Sequence, residues 1–390
     1  MALGLLALEA AARLTQQFWG GRKEAGEQLH YIEYDPLLGW RKRPGARVRY
    51  RRREYTADVA INSHGLRDVE RDYPAPPGTL RVLALGDSFV EGYSVPFEEC
   101  VSRVLEKTLA SRGCRAQVLN GGTLGYSTDQ EYLFYQSEGA KHSPQIVVLF
   151  FYYNDVIYND RPEFFGAPKP MLERMDGHLG LREFPVRHRE APRLGRHSRR
   201  RHEPPPPGRS ALLSWVRDRL WLGAPSVHDW LARWGLWSPM PKMPIRTEMR
   251  VYQRQPPPQV EHAWLTTSSI LEALAKEAES HGARLLTVGV PARFEVDDAS
   301  WRVEQALHDL DEADWDRGQV QRRLVDAGRS AGFPVLDLTA SLRAGSHFWA
   351  PAYHKYDGHW TAVGHAIAAR EVAGFLTQRG WLAGCAASSK

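Results

Sequence analysis

The spacing of apolar and polar positions changes several times along this chain, and the changes divide it. Residues 1–29 open with MALGLLALEAAARL, whose apolar spacing predicts an amphipathic helix. Between 30 and 79, short apolar and basic runs alternate, most clearly in ARVRYRRREYTADVAI, and period two predicts a small β-rich lead-in. Asn62-Ser63-His64-Gly65 reads as its closing turn and Pro74 to Gly78 as a linker. VLALGD (82–87), AQVLN (116–120) and IVVLFFY (146–152) then read as strands, the first and third apolar enough to be buried on both faces of a parallel sheet. Helical spacing predicts helices over 98–112 and 128–139 between them. The alternation breaks over 161–262, where a Pro run, a Pro triple at 256–258 and a Trp-bearing segment at 211–237 form an insertion. It resumes with a helix at 263–281, a strand at 283–291, a charged helical insert at about 297–331, a strand at 333–338 and a last helix at 361–379. The sum is five parallel strands in βαβ units, a doubly wound α/β domain over 80–390 with a long Pro/Trp-rich insertion.

Composition adds limits. At 390 residues the chain suits one large α/β domain with insertions. A net charge of +5 is mild for that length and names no nucleic-acid partner. Nine Arg, three His and four consecutive Pro crowd 182–209, which reads as a solvated loop or as a patch for an anionic surface. The tryptophans from Trp215 to Trp237 either pack onto the main domain or form a lid that touches membrane or sugar. Cys100, Cys114 and Cys385 show no metal-ligand spacing and need no disulfide framework. The N-terminal apolar stretch is interrupted by Glu9 and Arg13 and lacks a leading positive charge. It stands as a surface-packing helix, the remnant of a membrane anchor, or a poor signal, so membrane association through the N-terminus stays open.

Four short motifs follow strands, where open α/β sheets bind ligands. Gly86-Asp87-Ser88-Phe89 places a serine at a strand-to-helix turn, with its hydroxyl and backbone N–H turned outward; helix capping is the plain alternative. Asn120 to Thr128 contains Gly125, which lets backbone approach a substrate, and Ser127, a competing nucleophile better suited to cap the next helix. Asn154, in Tyr152-Tyr153-Asn154-Asp155, offers a side-chain amide to an oxyanion or simply makes a turn. Asp357-Gly358-His359-Trp360 supplies a general base with an acid two residues away. His354, His359 and His365 have no metal-ligand spacing.

Taken in this order, the motifs resemble the four blocks of the SGNH/GDSL hydrolases. The resemblance covers roughly 80–155 and 283–380. It implies a three-layer flavodoxin-like fold with strand order 2-1-3-4-5. It implies Ser88 as nucleophile, Gly125 and Asn154 as oxyanion donors beside the Ser88 N–H, and Asp357 and His359 as acid and base. One residue between Asp and His, rather than two, looks like the alginate-acetylation branch, and Asp337 is held as the reserve acid. Tyr152 stands where Gly is common and should narrow the pocket. The lead-in YDPLLGW…NSHGLRD looks like that of envelope-associated bacterial members. The expectation is ester hydrolysis through a serine acyl-enzyme, on a small-molecule or glycan ester such as an O-acetyl group, without cofactor or metal. O-acyl transfer to a polysaccharide and non-catalytic glycan binding are the alternatives. Periplasm or cell envelope is the expected location, with cytoplasm as the alternative.

Overall fold

The computed structural model describes residues 4, 7–13, 28–52, 54–175, 178–182, 184–188, 210–236, 242–383 and 385. Most of the basic Pro-rich stretch and much of the N-terminal segment fall outside these residues. A short helix α1 (Gln28–Tyr31) leads into two antiparallel hairpins, β1 (Ile32–Asp35) with β2 (Gly39–Lys42), and β3 (Arg47–Arg51) with β4 (Thr56–Ala60). The repeat begins with β5 (Leu80–Gly86), α2 (Ser88–Glu91), α3 (Val101–Ser111), β6 (Ala116–Asn120), α4 (Thr128–Ser137), β7 (Ile146–Tyr152) and α5 (Asp155–Tyr158). The insertion carries two hairpins, β8 (Glu163–Phe164) with β9 (Ala167–Pro168) and β10 (Met171–Met175) with β11 (His178–Arg182), then a helix pair, α6 (Ala211–Gly223) and α7 (Pro225–Arg233). The remainder is α8 (Pro258–Ser280), β12 (Arg284–Val290), α9 (Arg293–Val296), α10 (Asp298–His308), α11 (Gln319–Ala331), β13 (Val335–Asp337), α12 (Thr339–Gly345) and α13 (Ala362–Gln378).

The five main strands pair in parallel in the order β13-β12-β7-β5-β6, which in chain order is the expected 2-1-3-4-5. Their period-two alternation feeds two separate cores. Leu83, Leu85, Val147, Leu149 and Phe151 face one, covered by α4, α8 and α11. Val82, Ala84, Ile146, Val148, Phe150, Leu286 and Val288 face the other, covered by α3 and α13. That is the three-layer arrangement. The lead-in shares the first core through Tyr31, Trp40, Tyr50, Val59 and Leu66.

The insertion is anchored in part by charge. Lys169, fully buried just after β9, ion-pairs with the buried Asp129 of α4 and donates to the Tyr158 and Pro170 carbonyls at 2.9 and 3.0 Å. The helix pair α6–α7 sits against α10 and leaves Trp215, Trp230 and Trp234 exposed. For these three, the expectation of packing onto the main domain does not hold. Glu9, in the helical stretch 7–13, accepts from the Ser210 hydroxyl and the Ala211 and Leu212 N–H groups at the start of α6. Cys114 and Cys385 form a disulfide, a correction to the reading that none was needed, and Cys100 is free and buried. Among the described residues, no helix is long and apolar enough to cross a membrane.

Candidate active site

The strand-to-helix turn after β5 assigns separate jobs to neighbouring residues. Asp87 caps α2, accepting the Phe89 N–H at 2.8 Å. Capping therefore falls to the aspartate and leaves the serine hydroxyl to point elsewhere. Gly86 is required because a Cβ there would stand 2.4 Å from Val90 Cγ2. Ser88, the first residue of α2, sets its Oγ 2.7 Å from His359 Nε2. Arg67 braces the far end of α2, donating to the Glu91 and Val95 carbonyls at 2.8 Å each. A cation at a helix C-terminus also suits the helix dipole.

His359 sits on a tight loop. The His354 N–H donates to the His359 carbonyl at 2.8 Å, and Gly358 takes φ +83°, a left-handed turn that brings residues 357 and 359 side by side. This is how a single intervening residue suffices. Asp357 Oδ1 bonds His359 Nδ1, so the proton on that ring is held at Nδ1 and Nε2 is left to accept from Ser88. Asp337 cannot substitute: it is exposed, and its Oδ1 accepts from the Thr339 N–H and hydroxyl. Trp360 is fully buried, with its ring 5.1 Å from that of Phe89.

The acid has more partners than its base. Tyr55 OH donates to Asp357 Oδ2 at 2.9 Å, and Tyr93 OH lies 3.1 Å from His359 Nδ1 and 3.5 Å from Asp357 Oδ1. Glu54 accepts three successive backbone N–H groups, from Lys355 (2.5 Å), Tyr356 (2.7 Å) and Asp357 (2.9 Å). Glu54 and Tyr55 lie between β3 and β4, so the lead-in holds the acid–base loop. Sequence reading placed that segment as β-rich and missed the contact, which joins residues about 300 positions apart with no local signal. Burial pushes the Asp357 carboxyl up, but the His359 charge, with hydrogen bonds from His359 and Tyr55, outweighs it and holds the acid well below the usual carboxylate range. Burial likewise pushes His359 down, and the Asp357 charge and hydrogen bond reverse that, leaving the imidazole above its ordinary value.

The loop after β6 is tied to the same turn. Thr123 N–H donates to the Gly86 carbonyl at 3.0 Å, and Leu124 N–H to Glu91 Oε2 at 2.6 Å. Gly125 has φ +75°, which only glycine adopts cheaply. Asn154 stands between β7 and α5 with its Oδ1 buried. Among the described residues, the Ser88 N–H, the Gly125 N–H and the Asn154 side chain make no hydrogen bond. Three donors from three consecutive βα loops are thus unengaged at the sheet edge that carries Ser88. Tyr152 packs 4.8 Å from Phe89, whose ring is 4.9 Å from His359, so it does crowd this region.

The other candidates lie elsewhere. Ser127 is at the N-cap of α4, with its N–H donating to the Gln130 side chain at 3.4 Å, but its buried hydroxyl has no partner and does not cap as expected. His365 Nδ1 accepts the Val101 N–H at 3.2 Å, and burial lowers its pKa to about 3. The His354 ring packs 4.9 Å from Tyr55.

Comparison with known proteins finds one family match and a set of distant structural likenesses. Residues 251–389 match the model of the SGNH hydrolase-like domain of the acetyltransferase AlgX, a segment that holds Asp357 and His359 and begins after Ser88. No curated protein matches the chain. Similar solved structures include the lipase/acylhydrolase from Enterococcus faecalis (12% identity, 77% of this chain and 96% of that one, TM-score 0.39). A GDSL-like lipase from Bacteroides thetaiotaomicron is 11% identical over 79% of this chain and 93% of its own, with TM-score 0.34. The acetyl xylan esterase AlAXEase is 11% identical over 76% and 100%, with TM-score 0.40.

Proposed function

We propose, from the match of residues 251–389 to the SGNH hydrolase-like domain of the acetyltransferase AlgX, that the chain forms an acyl-enzyme on Ser88 and passes the acyl group, an acetyl, to a carbohydrate hydroxyl. The observation that carries this reading is the hydrogen-bonded relay from Asp357 through His359 to Ser88 Oγ. His359 takes the Ser88 proton as Oγ attacks the carbonyl carbon of an acetyl ester. The negative charge of the tetrahedral intermediate rests on the Ser88 and Gly125 N–H groups and the Asn154 amide, the three donors with no partner of their own. The bond to the leaving alcohol breaks, and His359 protonates that alcohol. An acceptor hydroxyl then gives its proton to His359 and attacks the acetyl-serine; the bond from the acetyl carbon to Ser88 Oγ breaks, and His359 returns the proton to Ser88.

Hydrolysis, with water as acceptor, is the second reading. It is favoured by the 22% exposure of the His359 side chain, which lets solvent reach the base. A periplasmic or envelope location belongs to the same proposal, supported by the Cys114–Cys385 bridge, since disulfides persist in oxidising compartments.

The test is 4-nitrophenyl acetate with and without a neutral oligosaccharide. The expected result is a burst of nitrophenolate, an acetyl group on the Ser88 peptide, and acetylated sugar when the acceptor is present; Ser88→Ala should show none of these. Free acetate alone, at the same rate with or without sugar, selects hydrolysis. Turnover by Ser88→Ala equal to wild type would refute both readings.

A further inference from the structure

The lead-in meets the core a second time, at the opposite edge of the sheet from Ser88. α4 starts beyond the C-terminal end of β6 and runs back toward the first residues of β7, so Glu138 and His142 lie by the strands' N-terminal ends. His64, from the turn after β4, joins them. One ligand-type atom from each of the three side chains lies within 4.8 Å of the others. Glu138 Oε1 is 4.0 Å from His64 Nδ1 and 3.8 Å from His142 Nε2.

His142 makes this more than a chance grouping. Its side chain is fully buried, and neither ring nitrogen has a hydrogen-bond partner. Buried polar atoms are seldom left this way. The neighbouring rings of Tyr73 (4.7 Å) and His64 (5.3 Å) pack against it without giving either nitrogen a hydrogen bond. We propose that His64, Glu138 and His142 bind a divalent transition-metal ion of the zinc class, which clasps the lead-in to the hydrolase core.

The donor set suits such an ion: zinc, a borderline ion, takes two imidazole nitrogens together with a carboxylate oxygen and keeps a fourth position for water. A tetrahedral ion with ligands at about 2.0–2.1 Å needs ligand atoms about 3.3 Å apart. The observed 3.8 and 4.0 Å separations close to this by small rotations, most easily at His64, whose side chain is 21% exposed and also offers an entry path. The surroundings are already those of an oriented ligand shell. Tyr73 OH donates to Glu138 Oε1 at 2.7 Å, and Lys141 Nζ lies 2.8 Å from Glu138 Oε2. Asn62 Oδ1 holds the turn that carries His64, accepting the His64 and Leu66 N–H groups at 3.0 and 2.9 Å. Because the site is remote from Ser88, the ion holds structure and takes no part in the acyl chemistry.

The full chain, stripped with a chelator and dialysed, is titrated with Zn²⁺ against a chromophoric competitor, and with Co²⁺ followed by visible absorption. Wild type should bind one Zn²⁺ with a tetrahedral Co²⁺ spectrum. His64→Gln and Glu138→Gln should bind at least tenfold more weakly, with unchanged circular dichroism, and His64→Gln should keep wild-type ester turnover. His64→Gln alters a half-exposed turn, so it tests the site even if a change at buried His142 prevents folding. The proposal fails if stripped wild type binds no more Zn²⁺ than His64→Gln, or if both variants bind as tightly as wild type.

Discussion

Replacing Glu54 with alanine removes a carboxylate that touches neither Ser88 nor His359, yet it should slow the enzyme. Glu54 accepts the N–H groups of Lys355, Tyr356 and Asp357, the three residues leading into the acid–base turn. A net hydrogen bond is worth about 0.5–1.5 kcal/mol, and in a half-buried turn, where water can replace the lost partner, the lower end applies. Three such bonds then amount to about 1.5 kcal/mol, or slightly more than tenfold in the population of the aligned turn. Because misalignment of Asp357 affects the transition state and not substrate docking, kcat should fall about tenfold with KM little changed. The assay is steady-state turnover of 4-nitrophenyl acetate, with thermal melting as the check on global folding. Glu54→Gln, which keeps one acceptor oxygen, should fall between. Glu70→Ala, which removes a contact to Ser63 elsewhere in the lead-in, should have no effect on turnover. A Glu54→Ala enzyme within twofold of wild-type kcat would refute the idea that the lead-in positions the acid.

Four further outcomes follow from the structure. A base must be neutral to accept the Ser88 proton, and His359 is raised above 6.5, so kcat/KM should climb with pH along a limb centred above that value; Asp357→Asn should move the limb down and cost about 10⁴ in kcat. The same shifts make the ion pair a folding contribution that is lost as pH rises through the His359 pKa and, because the Asp357 pKa is depressed, lost again in strong acid, readable as melting temperature against pH. Asn154→Ala should lower kcat by about 10²–10³ without changing the melting temperature by more than a few degrees, whereas an unchanged kcat would remove its amide from the oxyanion site. Lys169→Met should destabilise the fold by about 3–5 kcal/mol in denaturant titration, since it strands Asp129 as a buried unpaired carboxylate, and Lys169→Met with Asp129→Leu should recover most of that.

The strands were legible because burial on both faces leaves an unmistakable run: β6 and β7 match AQVLN and IVVLFFY residue for residue. The spacing predicts a start for α8 at 263 but the helix starts at Pro258, because the Pro triple, placed in the insertion, supplies with its last member the first residue of the helix, a place proline favours. Ser88, Gly125, Asn154, Asp357 and His359 stood out as candidates in short motifs, and the structure joins Ser88, His359 and Asp357 by hydrogen bonds. Glu54, Tyr55 and Tyr93 did not stand out, since a residue that positions another across 300 positions leaves no periodic trace. Neither did the Cys114–Cys385 bridge, which spacing alone cannot reveal, nor the Trp215, Trp230 and Trp234 exposure, since an apolar stripe has the same pattern whether or not something covers it.

The bridge between Cys114 and Cys385 has a topological effect on the reacting pair. Along the backbone Ser88 and His359 are separated by 271 residues. Through the sulfur atoms each is only 26 residues from the crosslink, so the covalent route is about a fifth as long. In loop-closure terms the shorter tether lowers the entropic cost of bringing hydroxyl and imidazole together by about 1.5 kcal/mol. An oxidised chain that has lost its tertiary order therefore still carries its two reactive groups on a short leash.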